Sequence, residues 1–573
     1  MIFTPPSWLP AIEQDLSKVG TVGDFALQGT LGNASGPRVD EPTFISASTQ
    51  KERTPAQIAQ NVEALAAGLA HELQWSPNAP AQGGKVVAIL SENTVDYLVY
   101  CWAVHRLRGT CLLLHGTTSP QENAKHLQRS DCRTLIVSPA LLQSGRAAAA
   151  AASTSEAGIR VYLTERVATD SAQVNVNGNS DTDLKTIEEL VSFGKTLSPL
   201  PALDWSPEEA QSSIAYLCAT SGTSGVQRLA RLSHRGIILN ILQVSALEST
   251  IRHRDVEIVL GVLPLSHVQG VIASHGTVYL RDRLILHTTF DMKAAMMSIQ
   301  TYRINRLYLV PSVLAALVGN QFLFKIFDLS SVDTVYVGAG SLSSELYAKT
   351  KAVQPNWNLV NGYGLTESSM VVAMSSSQEP GPGPVGILLP LYQARLRRED
   401  GSDVEAFDEP GELLLSSPNQ ASGYIGDEEA ATATFRDGWL HTGDVAIFRQ
   451  SPRGDSHLYI VDRLRDMIKV KGMQVSPVAI EECLRQHPGV ADVAVIGVPD
   501  NVAGERAKAF VVPMKNPDPT AKPADPETLF EQWDEHVQSK LTEPHWLRGR
   551  YELLEALPRN TSGKVAKGLL RAM

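Results

Sequence analysis

The chain has 573 residues, of which 43% are hydrophobic and 19% are charged, a composition that is typical of globular proteins and excludes an intrinsically disordered chain. The 50 basic and 61 acidic side chains leave a net charge of −11 at pH 7. Because no block of the sequence is rich in Lys or Arg, we expect no nucleic-acid partner.

The N-terminal part of the chain alternates between helical and strand patterns. Apolar residues recur at helical spacing over residues 54–73. Short apolar runs at 86–90, 111–114 and 134–137 follow, with helical stretches between them. This alternation predicts a mainly parallel sheet that is covered by helices on both faces.

The composition changes near residues 145–203. A run of alanines at 147–152 precedes a stretch at 169–183 that is rich in Ser, Asn, Asp and Gly. Such segments rarely bury enough apolar surface to fold by themselves. We therefore expect a flexible surface insertion near 145–203.

Three further units are indicated downstream. Apolar segments at 258–262, 306–310 and 334–337 indicate a second α/β unit. Short alternating strands between Gly and Pro turns dominate residues 384–460 and indicate a small antiparallel β unit. Residues 463–573 combine helical and strand patterns, which predicts a compact α+β domain.

A Ser/Thr/Gly-rich loop follows an apolar strand pattern that begins at Tyr216 and leads to the cation Arg228. Glycines allow close backbone approach, so successive N–H groups and hydroxyls could surround a polyphosphate. The spacing differs from that of the P-loop of nucleotide-binding proteins, and a plain solvent-exposed loop is an equal alternative. The loop residues are Thr220, Ser221, Gly222, Thr223, Ser224 and Gly225.

Two more segments place carboxylates beside turns. In residues 361–367, Thr366 could bond a phosphate and Glu367 could hold Mg²⁺, although an acidic residue at a helix N-terminus is an equal alternative. Asp444 lies in a Thr-Gly-Asp turn, and Arg463 closes the β unit. By themselves, the last two residues could also be a hairpin turn and a surface ion pair.

Taken in order, these motifs resemble the adenylate-forming enzyme superfamily, which includes acyl-CoA and aryl-CoA synthetases, nonribosomal-peptide adenylation domains and firefly luciferase. Acyl-CoA and 4-coumarate-CoA-type ligases are the most similar in style. The resemblance extends from about Thr54 to Lys567. Further matching segments are residues 263–267, 338–340, 411–413, 462–466, 468–472, 504–505 and 558–564.

The resemblance implies an α/β fold with two domains. The large N-terminal domain, residues 1–462, would consist of layered αβαβα subdomains plus a small β-rich subdomain. A small mobile α+β domain, residues 463–573, would follow a hinge near 462–466 that includes Arg465.

The resemblance also implies a two-step reaction by an AMP-forming acid–thiol ligase. A carboxylate would attack the α-phosphate of ATP to give an acyl-adenylate and pyrophosphate. The thiol of CoA, or of a phosphopantetheine-bearing carrier protein, would then displace AMP. Mg²⁺, cations and hydroxyl donors would stabilise the charge that develops at phosphorus.

Residue roles follow from the same resemblance. Thr366 and Lys564 would contact the α-phosphate and the carboxylate, and Glu367 would hold Mg²⁺. Asp444 and Arg463 would hold the ribose hydroxyls. The remaining nucleotide-binding residues would be the phosphate loop with Arg228, and Gly340, Asn361, Gly362, Tyr363 and Gly364 around the adenine.

The acyl pocket is predicted to include His267, Val310, Gly338 and Ala339. The small residues leave room for a flat ring or an alkyl chain, and no Asp is present near His267 to hold an α-ammonium group. A fatty, aryl or polyketide-type acid is therefore favoured over an amino acid. His267 could gate the pocket or contact CoA, or it could be a core histidine with a satisfied hydrogen bond.

Thioester formation is assigned by the resemblance to Lys469 and Gln474, with Lys471 as an alternative to Lys469. One departure concerns the end of the phosphate loop, where Gln-Arg-Leu at 227–229 replaces the usual Pro-Lys-Gly. Arg keeps the charge but presents a planar fork, which puts the pyrophosphate-side contacts in doubt.

Three functional readings follow. The first is an acyl-CoA synthetase, and the second is a stand-alone acyl-AMP ligase that loads a carrier protein or an amine in trans, since the chain ends soon after Lys564. The third is a non-catalytic binding protein, against which the intact Lys564 and Glu367 argue.

The location of the protein is predicted from targeting features. No apolar run approaches the roughly 20 residues that span a bilayer, so we expect no membrane span. The N-terminus lacks the pattern of a signal peptide, and the final residues are not a Ser-Lys-Leu peroxisomal address. We expect a cytoplasmic enzyme.

Overall fold

The computed structural model describes residues 1–13, 16, 20–28, 40–79, 84–153, 158–166, 184–220, 227–340, 342–376, 381, 383–471, 473–514, 525–559 and 565–573. Its helices are α1 (Val22–Gln28), α2 (Pro55–Leu73), α3 (Tyr97–His105), α4 (Pro120–Arg129), α5 (Leu142–Ala152), α6 (Ile187–Gly194), α7 (Pro207–Ser212), α8 (His234–Glu248), α9 (Val268–Tyr279), α10 (Met292–Tyr302), α11 (Pro311–Gly319), α12 (Leu323–Ile326), α13 (Ser344–Val353), α14 (Glu428–Thr434), α15 (Pro477–Arg485), α16 (Pro526–Lys540) and α17 (Lys567–Leu570).

Its strands are β1 (Phe44–Ser46), β2 (Glu52–Arg53), β3 (Val86–Leu90), β4 (Thr110–Leu114), β5 (Thr134–Val137), β6 (Arg160–Leu163), β7 (Ile214–Ala219), β8 (Leu229–Ser233), β9 (Ile258–Gly261), β10 (Arg283–Leu286), β11 (Arg306–Leu309), β12 (Thr334–Val337), β13 (Asn358–Leu365), β14 (Met370–Met374), β15 (Ile387–Leu388), β16 (Gln393–Arg397), β17 (Gly411–Ser416), β18 (Phe435–Arg436), β19 (Trp439–Gln450), β20 (Ser456–Arg463), β21 (Ile468–Val470), β22 (Met473–Val475), β23 (Val490–Asp500), β24 (Gly504–Pro513) and β25 (Tyr551–Leu553).

Two mainly parallel sheets form the N-terminal part of the fold. The first has the order β6-β5-β3-β4-β7-β8, and its β7–β8 pair is antiparallel. The second has the order β15-β14-β13-β12-β11-β9-β10-β1-β2, with antiparallel pairs at its two ends. Every residue of β3 is buried, because helices cover both faces of its sheet.

Helices α8 and α9 lie between the two sheets. One buried apolar cluster combines Ile89 of β3, Ile241 of α8, Ile272 of α9 and Leu284 of β10. Burying both sheets against a shared helical layer produces the αβαβα arrangement. The predicted fold class is therefore confirmed.

The predicted insertion near 145–203 is wrong for most of its described residues. Helix α5 packs against α4, and β6 extends the first sheet in parallel with β5. Helix α6 packs so closely against α2 that a Cβ on Gly194 would lie 1.8 Å from the Ala64 carbonyl oxygen. The alanine run forms part of α5, which buries Ala148, Ala149 and Ala152 on one face. Residues 154–157 and 167–183 lie outside the described residues.

The remaining strands form two smaller sheets. The predicted antiparallel β unit consists of β16-β17-β19-β18 with β20 paired to β19. The C-terminal unit has the order β22-β21-β24-β23, and β25 joins β24 in parallel. A 3₁₀ helix, Leu464–Asp466, connects the two sheets at the predicted hinge. No helix among the described residues is long and apolar enough to cross a bilayer.

Candidate active site

A cavity of about 330 Å³ lies between α8, α9 and the second sheet. It opens at the carboxyl ends of β12 and β7, where ligands commonly bind in parallel sheets. Eleven of the sequence-predicted site residues line it. They are Thr220, Arg228, His267, Gly338, Ala339, Gly362, Tyr363, Gly364, Thr366, Glu367 and Arg463.

Asp444 connects two of these lining residues. The Tyr363 hydroxyl donates to its carboxylate at 2.5 Å, and the Arg463 guanidinium pairs with it at 2.7 Å. The antiparallel register of β19 and β20 sets Asp444 directly opposite Arg463. Burial, followed by the nearby Asp444 charge, raises the pKa of Tyr363 well above its usual value, so its hydroxyl stays a donor.

Glu367 lies in a 3₁₀ turn, Thr366–Ser368, directly after β13. Its Oε1 accepts a hydrogen bond of 2.7 Å from the Tyr424 hydroxyl. Burial and the Glu367 charge raise the pKa of Tyr424 far above its usual value, which keeps the phenol protonated. The carboxylate is thus held at the cavity wall beside the hydroxyl-bearing Thr366.

The oxygen ligands that this wall offers determine whether it suits Mg²⁺. Within the described part of the chain, no group of three or more His, Cys, Asp or Glu side chains could hold a metal by itself. Mg²⁺ commonly binds through one or two carboxylates together with substrate phosphates. A single carboxylate at Glu367 fits that mode.

Arg228 is held by the β unit. Its Nε pairs with Asp427 at 2.9 Å, and its guanidinium lies 5.7 Å from the centre of the Tyr424 ring. The hydrogen bond from Arg228 lowers the pKa of the Asp427 carboxyl, so the pair is charged. The Thr220 N–H donates a hydrogen bond of 2.8 Å to the Arg228 carbonyl at the neck of the phosphate loop. Ser221, Gly222, Thr223, Ser224 and Gly225 lie outside the described residues, as does Lys564.

Comparison with known proteins gives consistent matches over the whole chain. Residues 33–425 match the AMP-binding enzyme family, and residues 479–564 match the AMP-binding enzyme C-terminal domain. The chain belongs to the AMP-binding enzyme family. The predicted adenylate-forming superfamily and the predicted AMP-forming ligase class are confirmed.

Two curated relatives of this AMP-binding enzyme match it at full length. Acyl-CoA ligase easD of Emericella nidulans is 42% identical, and the match covers 100% of both chains. Acyl-CoA ligase cm3C of Cordyceps militaris is 40% identical, covering 100% of this chain and 90% of the relative. The solved structure of the anthranilate CoA ligase AuaEII in complex with anthranoyl-AMP has a TM-score of 0.80 at 20% identity and covers 98% of each chain, which establishes a shared fold.

Besides Asp444, which is 1% exposed, three predicted pocket residues of the AMP-binding enzyme do not line its described cavity. Val310 precedes α11, where its carbonyl accepts the Val313 and Leu314 N–H groups. Asn361 is buried, and its side chain donates to the Pro384 carbonyl at 3.1 Å. Gly340 faces the ring of Pro311. These positions shape the turns behind the cavity.

The C-terminal residues that the sequence assigns to thioester formation lie apart from the cavity. Lys469 and Gln474 are opposite one another on β21 and β22. Both contact Glu399 of the β unit, at 2.9 Å for the lysine and 2.5 Å for the glutamine. Arg465 is exposed in the connecting 3₁₀ helix.

Sequence reasoning missed the walls that α8 and α9 provide. The α8 residues Ile241, Ser245 and Glu248 line the cavity at helical spacing, and the α9 residues Ile272 and Thr277 lie across from them. Polar residues at the end of an otherwise apolar helix could have indicated this wall. Tyr424 was also missed, because nothing local relates it to Glu367.

Proposed function

We propose that this enzyme activates a fatty, aryl or polyketide-type carboxylic acid with ATP and transfers the acyl group to CoA. The main support for this proposal is that one cavity connects the polar wall at Glu367 and Arg463 with an apolar pocket between α8 and α9. A reaction between a nucleotide and an apolar acid requires both surfaces in one enclosure.

The nucleotide is proposed to bind along the polar wall. Asp444, which is 1% exposed and is held by Tyr363 and Arg463, would accept hydrogen bonds from the ribose hydroxyls through its remaining lone pairs. The adenine would lie against the backbone of β13 at Gly362 and Gly364, which line the cavity. Thr366 would donate to the α-phosphate, at which the carboxylate oxygen attacks and from which pyrophosphate leaves.

Glu367 would hold Mg²⁺, which when bound would neutralise charge on the phosphates. The protein's own part is to hold the carboxylate in place, through the hydrogen bond from Tyr424. Arg228 could hydrogen-bond the outer phosphates after breaking its ion pair with Asp427. From its present position it would attract them by charge alone.

CoA is proposed as the acceptor because full-length relatives are named acyl-CoA ligases. In the second step, the thiol would attack the acyl carbonyl and AMP would leave. Transfer to a carrier protein or an amine in trans is the alternative. A cytoplasmic location stays a prediction.

Acid-dependent exchange of labelled pyrophosphate into ATP tests the first step. We expect exchange with at least one acid of a fatty, aromatic and amino-acid panel, and loss of exchange in Lys564→Ala. Lys349→Ala, at an exposed residue of α13, is the matched control. No exchange with any acid would support the binding-protein reading.

Mass spectrometry after addition of CoA tests the second step. We expect the acyl-CoA thioester of the acid that supports exchange. Acyl-AMP that persists without thioester would overturn the choice of CoA and favour a carrier or an amine.

A further inference from the structure

The cavity continues past the predicted acyl pocket to a polar far end. The lining residues Val268, at the start of α9, and Leu280, directly after α9, are 12 positions apart, or about 18 Å at 1.5 Å per residue. An extended chain advances about 1.2 Å per bond, so about 15 bonds reach this end. The lining side chains there include Ser245, Glu248, Thr277, Asp282, Tyr308 and Tyr336.

Buried ion pairs hold this far end together. Glu248 is 2% exposed, pairs with Arg306 and accepts a hydrogen bond from the Tyr336 hydroxyl. Arg306 also contacts Glu257 at 3.4 Å. Because Glu248, Arg306 and Tyr336 come from α8, β11 and β12, they close the cavity where the three elements meet.

A second buried pair extends the same surface. Asp282 is 3% exposed and accepts a hydrogen bond of 2.9 Å from Arg252. Its other oxygen accepts the backbone N–H of Glu257 at 2.8 Å. The three carboxylates at 248, 257 and 282 and the two guanidiniums at 252 and 306 leave one excess negative charge.

Two neutral hydroxyl groups complete the wall. The Thr277 hydroxyl donates to the Ala273 carbonyl within α9 at 3.0 Å, so its lone pairs are available to accept. Tyr308 stacks on Tyr336, with 4.8 Å between ring centres. Burial and the nearby Glu248 charge raise the pKa of Tyr308, which therefore stays a neutral phenol.

We infer that the preferred substrate is a chain-like carboxylic acid with an uncharged hydrogen-bond donor, a hydroxyl group, near the end opposite its carboxylate. An alkyl terminus would place hydrocarbon against the Tyr308 hydroxyl and the remaining lone pairs of Glu248 and would offer them no hydrogen bond. A second carboxylate would meet the excess negative charge. A terminal hydroxyl can donate to a carboxylate and accept from Tyr308, so it satisfies both.

This inference rests on the proposed function and names its substrate class. The test compares kcat/KM for acid-dependent pyrophosphate exchange with pentadecanoic acid, 15-hydroxypentadecanoic acid and pentadecanedioic acid, with hexanoic acid as a reference that is too short to reach the far end. We expect the hydroxy acid to exceed both other long acids by at least tenfold, mainly through KM.

Tyr308→Phe assigns the preference to the far end of the cavity. We expect this variant to reduce the ratio between hydroxy acid and plain acid at least fivefold. Tyr302→Phe, at a half-buried tyrosine of α10 that does not line the described cavity, should keep the wild-type ratio.

The possible outcomes separate the two proposals. Exchange with hexanoic acid but no preference for the hydroxy acid would overturn this inference and leave the proposed function standing. A preference that persists unchanged in Tyr308→Phe would overturn the assignment to this wall. No exchange with any of the acids would remove the proposed function, and the inference with it.

Discussion

The hydroxyl of Tyr424 donates a hydrogen bond of 2.7 Å to the carboxylate of Glu367. Tyr424 also forms a β-bridge with Ala230 of β8, the strand that follows the phosphate loop. One tyrosine therefore connects the β unit, the exit of the phosphate loop and the turn after β13. This contact fixes the direction of the carboxylate that we propose as the Mg²⁺ ligand.

Tyr424→Phe is expected to raise the Mg²⁺ concentration needed for half-maximal pyrophosphate exchange and to lower kcat/KM for ATP about tenfold. The physical reason is the loss of a hydrogen bond to a charged group, typically worth about 1.5–3 kcal/mol. A Mg²⁺ titration of exchange measures the effect, with Tyr302→Phe as the control. An unchanged Mg²⁺ dependence would show that Glu367 needs no support from Tyr424.

Asp444→Asn should raise the KM for ATP by about ten- to a hundredfold, because a charge-assisted acceptor for the ribose is lost and Arg463 loses its partner. The KM for the acid should change much less. Steady-state exchange kinetics with each substrate varied in turn measure both values. Asp408→Asn, at an exposed carboxylate paired with Arg449, is the matched control. Equal effects on both KM values would contradict a ribose role.

Lys469→Ala is expected to slow thioester formation at least tenfold more than adenylation, because the residue lies outside the described cavity and is assigned to the second step. Single-turnover measurements of acyl-AMP and thioester separate the two rates. Glu399→Gln removes the charge that Lys469 contacts in this arrangement, and this exposed pair should contribute less than about 1 kcal/mol to stability. Equal loss of both steps in Lys469→Ala would contradict a specific role of Lys469 in thioester formation.

The protein is expected to lose stability as the pH falls below about 6.5, because three buried histidines, 105, 234 and 275, lie together between the sheets. Burial lowers the pKa of His105 from 6.5 to about 3 and lowers the pKa values of His234 and His275 well below 6.5. The unfolded chain therefore binds protons that the folded chain does not. The free energy of unfolding should fall by about 1.4 kcal/mol per pH unit for each such histidine.

Urea unfolding between about pH 7.5 and pH 5.5 measures this slope. His105→Gln should reduce the pH dependence of the free energy of unfolding by about the contribution of one histidine. His253→Gln, at an exposed histidine, should leave it unchanged. A slope that is the same in all three proteins would contradict the assignment.

Local patterns were enough to identify much of the protein. The fold class and the family followed from short motifs, because phosphate-facing turns need particular residues in adjacent positions. Tyr363, Thr366, Glu367 and Arg463 line the cavity as these motifs suggested. Composition was a weaker guide, since the alanine run near 147 is a packed helix of the first sheet.

Contacts between distant segments decided the rest. No sequence spacing relates Tyr424 to Glu367, or Glu248 to Arg306, because each pair meets only when separate elements pack together. The same holds for Arg228, whose charge suggested a phosphate contact but whose guanidinium is paired with Asp427. The net charge of −11 likewise gave no indication of how charge is distributed in the cavity. Packing brings five charged side chains together at its far end and leaves a local excess of one negative charge there.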